Sequence, residues 1–262
     1  MKEILLQLRH MPTKKQTRSS FDPRSDSNLL NLPPAKLTAK HLTDAARDFR
    51  GSMNWRIFRI IAEFIDGFQF IAGFKHTITI FGSARLKEGT KYYEEARKLG
   101  RLLAENKYGV VTGGGPGIME AGNRGAVEGK GQSFGLNVEL PNEQRTNPYV
   151  KRGIGFHYFF TRKLMLTYSA EAYVYMPGGF GTIDEFFEIV TLIQTKKVVT
   201  HIPVILVGRE FWTPFTTWID KELNEKYHLI APEDTKIYDI VDSAEEAMAL
   251  IKRKAKPRRE LY

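Results

Sequence analysis

From residue 76 onward, short apolar runs alternate with segments of helical periodicity. Five runs are predicted as strands, at residues 77–81, 109–112, 133–138, 172–176 and 202–207. Helices are predicted at residues 92–105, 117–128 and 161–169, after residue 182, and at 212–224 and 243–252. Strands that are apolar along their whole length are buried on both faces, as in parallel sheets covered by helices. The alternation therefore predicts an α/β fold with a doubly wound parallel sheet.

The two ends of the chain differ from this pattern. Residues 1–40 mix Pro, Ser, Asn and basic residues without periodicity, which indicates a basic tail or arm. Residues 41–74 carry apolar side chains three and four positions apart, which predicts a helical extension that packs on the domain or on a second subunit. Residues 75–252 form the predicted Rossmann-like domain, and residues 253–262 a basic C-terminal tail. The predicted architecture is a Rossmann-like doubly wound sheet with an N-terminal helical extension.

The net charge of +9 resides at the ends of the chain. Residues 1–50 carry ten Lys/Arg against five Asp/Glu, and residues 252–262 six against one, whereas the remainder carries 23 against 24. Nucleic-acid binding is therefore not indicated, although the tails could contact RNA or an anionic surface. No apolar run reaches the ~20 residues that span a bilayer. Without cysteine there is no disulfide and no thiol nucleophile, and we predict a cytoplasmic protein.

Three glycine-bearing turns follow predicted strands, at residues 82–83, 113–117 and 178–181. Two of them lead into helices, whose free N–H groups suit an anion. In an open parallel sheet such turns converge at the carboxyl ends of the strands. Neither a dinucleotide fingerprint nor a P-loop is present, so no cofactor and no metal is predicted. A nucleoside monophosphate or a sugar phosphate fits these turns better than a dinucleotide or triphosphate.

Two segments and one dipeptide resemble the LOG (Lonely Guy) family. They are GGGPGIME at residues 113–120, PGGFGTIDE at 177–185 and the pair Arg162-Lys163. The resemblance covers roughly residues 75–252. Members are phosphoribohydrolases that activate cytokinins and bacterial nucleoside-monophosphate nucleosidases, and they are often described as lysine decarboxylases. The resemblance implies hydrolysis of a nucleoside 5′-monophosphate to free base and ribose 5-phosphate, by a homodimer or larger homo-oligomer.

The same resemblance implies roles for individual residues. Arg162 and Glu185 match the catalytic arginine and glutamate of the family. Residues matched to its substrate and phosphate contacts are Ser83, Gly114, Gly115, Gly117, Glu120, Lys163, Gly179, Gly181 and Thr182. The chain departs from the plant pattern at Thr161, where a glutamine is frequent, and in the loop at residues 116–119. Its first seventy residues exceed the family core.

Two alternatives remain open from the residues themselves. Thr182 and Glu185 have the spacing of a capping box, in which the glutamate bonds back to the start of its helix. A protein of this fold could also bind a nucleotide or the molybdenum cofactor without hydrolysing it. The Arg162–Glu185 combination favours an enzyme, because a phosphate holder does not need a carboxylate beside its anion.

Overall fold

The computed structural model describes residues 52–138, 146–198 and 202–257. The predicted basic arm, residues 41–51 of the predicted extension and residues 258–262 of the C-terminal tail lie outside the described residues. The described residues from Met53 onward form one compact unit, which contains the sheet.

Seven parallel strands form one sheet. They are β1 (Thr77–Phe81), β2 (Gly109–Thr112), β3 (Ser133–Val138), β4 (Arg152–Phe156), β5 (Ala172–Tyr175), β6 (Val204–Val207) and β7 (Tyr238–Val241). Their order is β4-β3-β2-β1-β5-β6-β7. The chain adds strands on one side of β1 as far as β4, and then returns to place β5 on the other side. The strand order therefore reverses between β1 and β5, which is where ligands bind in open sheets of this kind.

Helices cover both faces of the sheet. They are α1 (Met53–Ala72), α2 (Lys91–Glu105), α3 (Ile118–Glu128), α4 (Phe159–Tyr168), α5 (Phe180–Gln194), α6 (Arg209–Trp218) and α7 (Ala244–Lys254). One buried cluster joins α2, α3 and α7 to alternate strand residues such as Ile78 and Val174. A second joins α1, α4, α5 and α6 to the intervening residues, such as Phe81 and Tyr175. This arrangement confirms the predicted Rossmann-like α/β fold.

The structure differs from the prediction mainly at the edges of the sheet. Strands β4 and β7 lie at its two ends and were not predicted from the sequence. β4 reads Arg-Gly-Ile-Gly-Phe and is mostly exposed, so it lacks the continuous apolar run of a central strand. The predicted helix at 212–224 begins earlier, at Arg209, and continues from Ile219 to Lys226 as a π-helix.

Helix α1 lies within the predicted helical extension. It buries Gly67 and Ile71 against the domain. Four other large apolar side chains of α1 are exposed within the described part of the chain, here called the exposed α1 face: Ile57, Phe58, Ile61 and Ile65. Despite these side chains, no helix within the described ranges is long and apolar enough to cross a membrane.

Candidate active site

A cavity of about 620 Å³ lies beyond the carboxyl ends of β1 and β5, at the point where the strand order reverses. Its walls are the turn after β1, the first turns of α5, and single side chains from α3 and α4. Among the predicted site residues, those lining the cavity are Ser83, Arg162, Gly179, Gly181, Thr182 and Glu185. The predicted residues outside this lining are Gly114, Gly115, Gly117, Glu120 and Lys163. Sequence reasoning missed Arg85, Met119 and Phe180, which also line it.

The two walls are held together by the backbone. Phe81 and Tyr175 are paired at the ends of β1 and β5, so both turns leave the sheet at one level. Just beyond, the Ser83 N–H donates to the Pro177 carbonyl at 3.1 Å. The Ser83 carbonyl accepts from the Ile118 N–H at 3.0 Å. The turn after β1 is thereby fixed between the starts of α3 and α5.

The N-terminus of α5 presents backbone donors to the cavity. Gly179 is the N-cap residue, and the first intrahelical bond runs from the Ile183 N–H to its carbonyl at 3.1 Å. The N–H groups of Phe180, Gly181 and Thr182 come before that bond and have no carbonyl one turn earlier. Within the described part of the chain, a Cβ at Gly179 or Gly181 would meet no atom within 4 Å. An anion can therefore approach these donors closely, at the positive end of the helix.

The residue at which α5 begins also tests whether Glu185 is the glutamate of a capping box. Because α5 begins at Phe180, Thr182 is the third helical residue and Glu185 the sixth. A capping box requires the glutamate three residues after the N-cap. Glu185 lies six residues after Gly179, so the capping interpretation is wrong.

Glu185 forms a largely buried ion pair with Arg162. The Arg162 Nη1 lies 3.3 Å from the Glu185 Oε1, and the two side chains are 12% and 13% exposed. Burial is the main cause that raises the pKa of Glu185 to about 7. The positive charges of Arg162 and Lys163 oppose this rise, and the negative charges of Asp184 and Glu188 add to it. A carboxyl with a pKa near 7 changes its charge around neutral pH, as acids and bases in active sites do.

Arg162 is held by contacts on three sides. Its Nε donates to the Leu136 carbonyl of β3 at 2.9 Å, while its Nη1 faces Glu185. A Cβ at Gly113 would lie 2.5 Å from the Arg162 Nη2. The glycine at this position therefore leaves the space that the guanidinium occupies. This is a steric role, distinct from the phosphate contact predicted for the glycine loop.

The remaining glycines of that loop are fixed by a buried asparagine. The Asn147 side chain donates to the carbonyls of Gly114 and Gly115 at 3.1 and 3.0 Å, and its backbone N–H donates to Gly114 at 2.8 Å. Gly117 has a φ of +69°, and a Cβ there would collide with the Ser83 carbonyl. A single asparagine in a polar stretch gave no sequence signal for this function. A ligand contact by these glycines stays a prediction.

Two further predicted residues form pairs at the border of the site. Glu120 accepts a hydrogen bond from the Tyr93 hydroxyl at 3.1 Å. Lys163 bridges Asp184 and Glu188 on α5, at 3.0 and 3.1 Å. Lys163 thus ties α4 to α5 on either side of Glu185.

Comparison of the sequence with known proteins identifies the family that this chain resembles. A family model described as "Possible lysine decarboxylase" matches residues 119–251. The cytokinin riboside 5′-monophosphate phosphoribohydrolase of Rhodococcoides fascians is 27% identical over 185 residues, which cover 67% of this chain and 89% of the relative. The rice enzyme of that name, LOG, from Oryza sativa subsp. japonica, is 29% identical over 182 residues, or 66% of this chain and 71% of the relative.

A solved structure supports the fold. The molybdenum cofactor binding protein of the phototrophic bacterium Rippkaea orientalis superimposes with a TM-score of 0.51 at 22% identity, covering 68% of this chain and 96% of the other. This likeness concerns the sheet and its helices alone. The match of the family model, which extends over half of the sequence and includes Arg162 and Glu185, shows that the chain belongs to the LOG family.

Proposed function

We propose that the protein hydrolyses the N-glycosidic bond of nucleoside 5′-monophosphates, with AMP-like and N6-prenylated nucleotides as substrates. The observation that carries the proposal is one cavity in which the largely buried Arg162–Glu185 pair lies beside the open N-terminus of α5. One end of that cavity suits a phosphate, and the other offers a carboxylate to the sugar. Relatives named as cytokinin riboside 5′-monophosphate phosphoribohydrolases support the same substrate class.

The chemistry follows from the charges that develop during cleavage. The N–H groups at residues 180–182 bind the 5′-phosphate. As the bond from C1′ to the base nitrogen breaks, positive charge builds on the ribose ring. The Glu185 carboxylate stabilises that charge or removes a proton from the attacking water. Water adds its oxygen to C1′, the base leaves with a proton, and the products are free base and ribose 5-phosphate.

A substrate panel tests the function directly. Purified protein is incubated with AMP, GMP, CMP, UMP and N6-isopentenyl-AMP, and the release of free base is followed by chromatography. We expect cleavage of the purine nucleotides that resemble AMP. If no nucleotide is cleaved and a nucleotide or molybdenum cofactor co-purifies intact, the protein is a binding or carrier protein of the same fold and the proposal is wrong.

The pH dependence of the reaction should report on Glu185. Its pKa is raised to about 7 by burial, and the proposed chemistry needs the ionised form. We therefore expect kcat/KM to fall as pH decreases through about 7, approaching a tenfold loss per pH unit, and to level off above it. Initial rates between pH 5 and 9 would measure this decrease, the acid limb of the pH profile. A profile that is flat between pH 5 and 7 would contradict the assignment of Glu185 as the required carboxylate.

We further propose that the protein works as a homodimer in the cytoplasm. The exposed α1 face places four large apolar side chains in contact with water, which favours a second subunit that covers them. Phe58→Asp should then shift the mass in light scattering from twice the 30.0 kDa chain towards the monomer. Gln132→Asp, which adds the same charge at an exposed site elsewhere, is the control and should leave the mass unchanged. A wild-type protein that is monomeric at micromolar concentration would refute the dimer.

A further inference from the structure

Arg162 lies in the first turn of a short helix whose own cap is weak. The N-cap residue of α4 is Tyr158, whose side chain is not one of the short acceptors that cap helices. The first intrahelical bond, from the Arg162 N–H to the Tyr158 carbonyl, is long at 3.3 Å. The position of Arg162 therefore depends on contacts that another helix makes with the start of α4.

Glu63 of α1 binds the segment through which the chain enters α4. Its Oε1 accepts from the His157 N–H at 2.8 Å, and its Oε2 accepts from the Tyr158 N–H at 3.3 Å. The Thr161 hydroxyl lies 2.7 Å from the Glu63 Oε2 and 2.7 Å from the Tyr158 carbonyl, and donates to one or shares its proton between the two. Both carboxylate oxygens are thus used at the start of α4. A negative charge is favourable there because the N-terminus of a helix carries partial positive charge. The last of these donors, Thr161, directly precedes Arg162 and is fully buried.

Helix α1 is packed on α4 closely enough to keep Glu63 in place. A Cβ at Gly67 would lie 2.8 Å from the Met165 Cγ and Sδ, so glycine allows the two helices to approach. Aromatic contacts flank this point on both sides, with Phe64 near Phe160 at 6.4 Å between ring centroids and Phe68 near Tyr168 at 6.0 Å. The carboxylate is therefore carried by a rigid neighbour.

Three contacts restrict the position of the Arg162 guanidinium. Its Nε must reach the Leu136 carbonyl while its Nη1 reaches Glu185, and its Nη2 passes over Gly113. A small rotation of the first turn of α4 would lengthen the 3.3 Å contact to Glu185. Electrostatic positioning of this kind is sensitive to shifts of about 1 Å.

We propose that Glu63 is a positioning residue of the active site, which holds the first turn of α4 so that Arg162 meets Glu185. Helix α1 lies before residues 119–251, which the family model matches, so this role adds a residue from outside the matched region to the site. The proposal rests on the proposed function, in which Arg162 and Glu185 act on a nucleotide.

The test compares Glu63→Gln with Asp66→Asn. Both remove one negative charge from α1, but Asp66 is exposed, whereas Glu63 is half-buried and bonded to the start of α4. We expect Glu63→Gln to lower kcat/KM about tenfold and Asp66→Asn to leave it unchanged. Thr161→Val removes the hydroxyl that contacts both Glu63 and the Tyr158 carbonyl and should give a similar loss, with the double variant Glu63→Gln/Thr161→Val little worse than either single one.

A pH profile separates positioning from a loss of stability. The charged and titratable groups around Glu185 are Arg162 and Lys163 on α4, Asp184 and Glu188 on α5, Tyr175 on β5, and Arg85 across the cavity. Of these, Arg162 lowers the pKa of Glu185 most. If Arg162 shifts in Glu63→Gln, the acid limb of the profile moves to higher pH. Partial unfolding would lower the rate at every pH and leave the midpoint where it was.

A direct titration keeps the test independent of turnover. Carboxyl ¹³C NMR of the full chain, with Glu185→Gln used to assign the signal, gives the midpoint of Glu185 without any substrate. We expect a higher midpoint in Glu63→Gln and in Thr161→Val than in the wild type and in Asp66→Asn. Equal midpoints in all four proteins would overturn the positioning role. If the wild type cleaves no nucleotide but the midpoints differ, the proposed function fails while the positioning of Arg162 stands.

Discussion

Glu185→Gln is expected to reduce turnover by about 10³-fold, which is within the range that positioned acid–base groups contribute. Glutamine keeps the size of the side chain and can still contact Arg162, but it cannot stabilise a cationic ribose or accept a proton from water. The measurement is kcat/KM for AMP or N6-isopentenyl-AMP above pH 8, where Glu185 of the wild type is ionised. Glu105→Gln, an exposed glutamate at the end of α2, is the matched control and should retain activity.

The same substitution should stabilise the fold at high pH. Glu185 has a folded pKa of about 7 against an ordinary value of 4.5, so its contribution to stability is most favourable below pH 4.5 and is lost as pH rises through 7. Glutamine is uncharged at every pH, so its burial carries no cost that grows with pH. The gain in the free energy of unfolding should therefore grow from near zero at pH 4 to about 3 kcal/mol at pH 8, less the weakened contact to Arg162.

Urea denaturation at pH 4 and pH 8 measures this difference. A variant that is inactive yet more stable at pH 8 has lost a group kept for chemistry rather than for folding. A variant that unfolds more easily at both pH values would mean that Glu185 supports the fold, and the catalytic assignment would fail with it.

The central part of the fold was predictable because burial leaves a strong pattern. The predicted bounds of β1, β2 and β3 agree with the structure. The edge strand β4 was not predicted because its exposed glycines, Gly153 and Gly155, interrupt the apolar pattern, and because it gains its hydrogen bonds from β3 alone. Sequence patterns thus identify buried strands well, but they identify poorly the strands that are defined mainly by their pairing with a neighbour.

The site was predictable only in part, for a similar reason. The residues after β5 could be placed at a helix N-terminus, because strand, glycine turn and helix follow each other directly. Contacts between distant segments left no local signal. The bonds from Asn147 to Gly114 join residues 33 positions apart, and Glu63 and Thr161 are 98 positions apart. The steric role of Gly113 depends on a guanidinium that arrives from α4.

Arg162→Ala is expected to lower kcat/KM by about 10²-fold, the loss typical of removing one preorganised charge from a reacting centre. Without the guanidinium, the pKa of Glu185 should rise further above 7, because Arg162 is the strongest group that lowers it. The acid limb of the pH profile should then move to higher pH. A drop in rate with an unmoved limb would indicate that Arg162 binds substrate without acting on Glu185.

Gly113→Ala tests the same pair without removing a charge. The added methyl group would lie 2.5 Å from the Arg162 Nη2 and 2.8 Å from the Met119 Sδ, both ends of flexible side chains, so the chain can fold by displacing them. We expect a loss of at least tenfold in kcat/KM and a limb shifted in the same direction as in Arg162→Ala. Gly73→Ala is the matched control, because a Cβ there would meet no described atom within 4 Å. Equal activity of the two alanine variants would show that the position of the guanidinium does not limit the reaction.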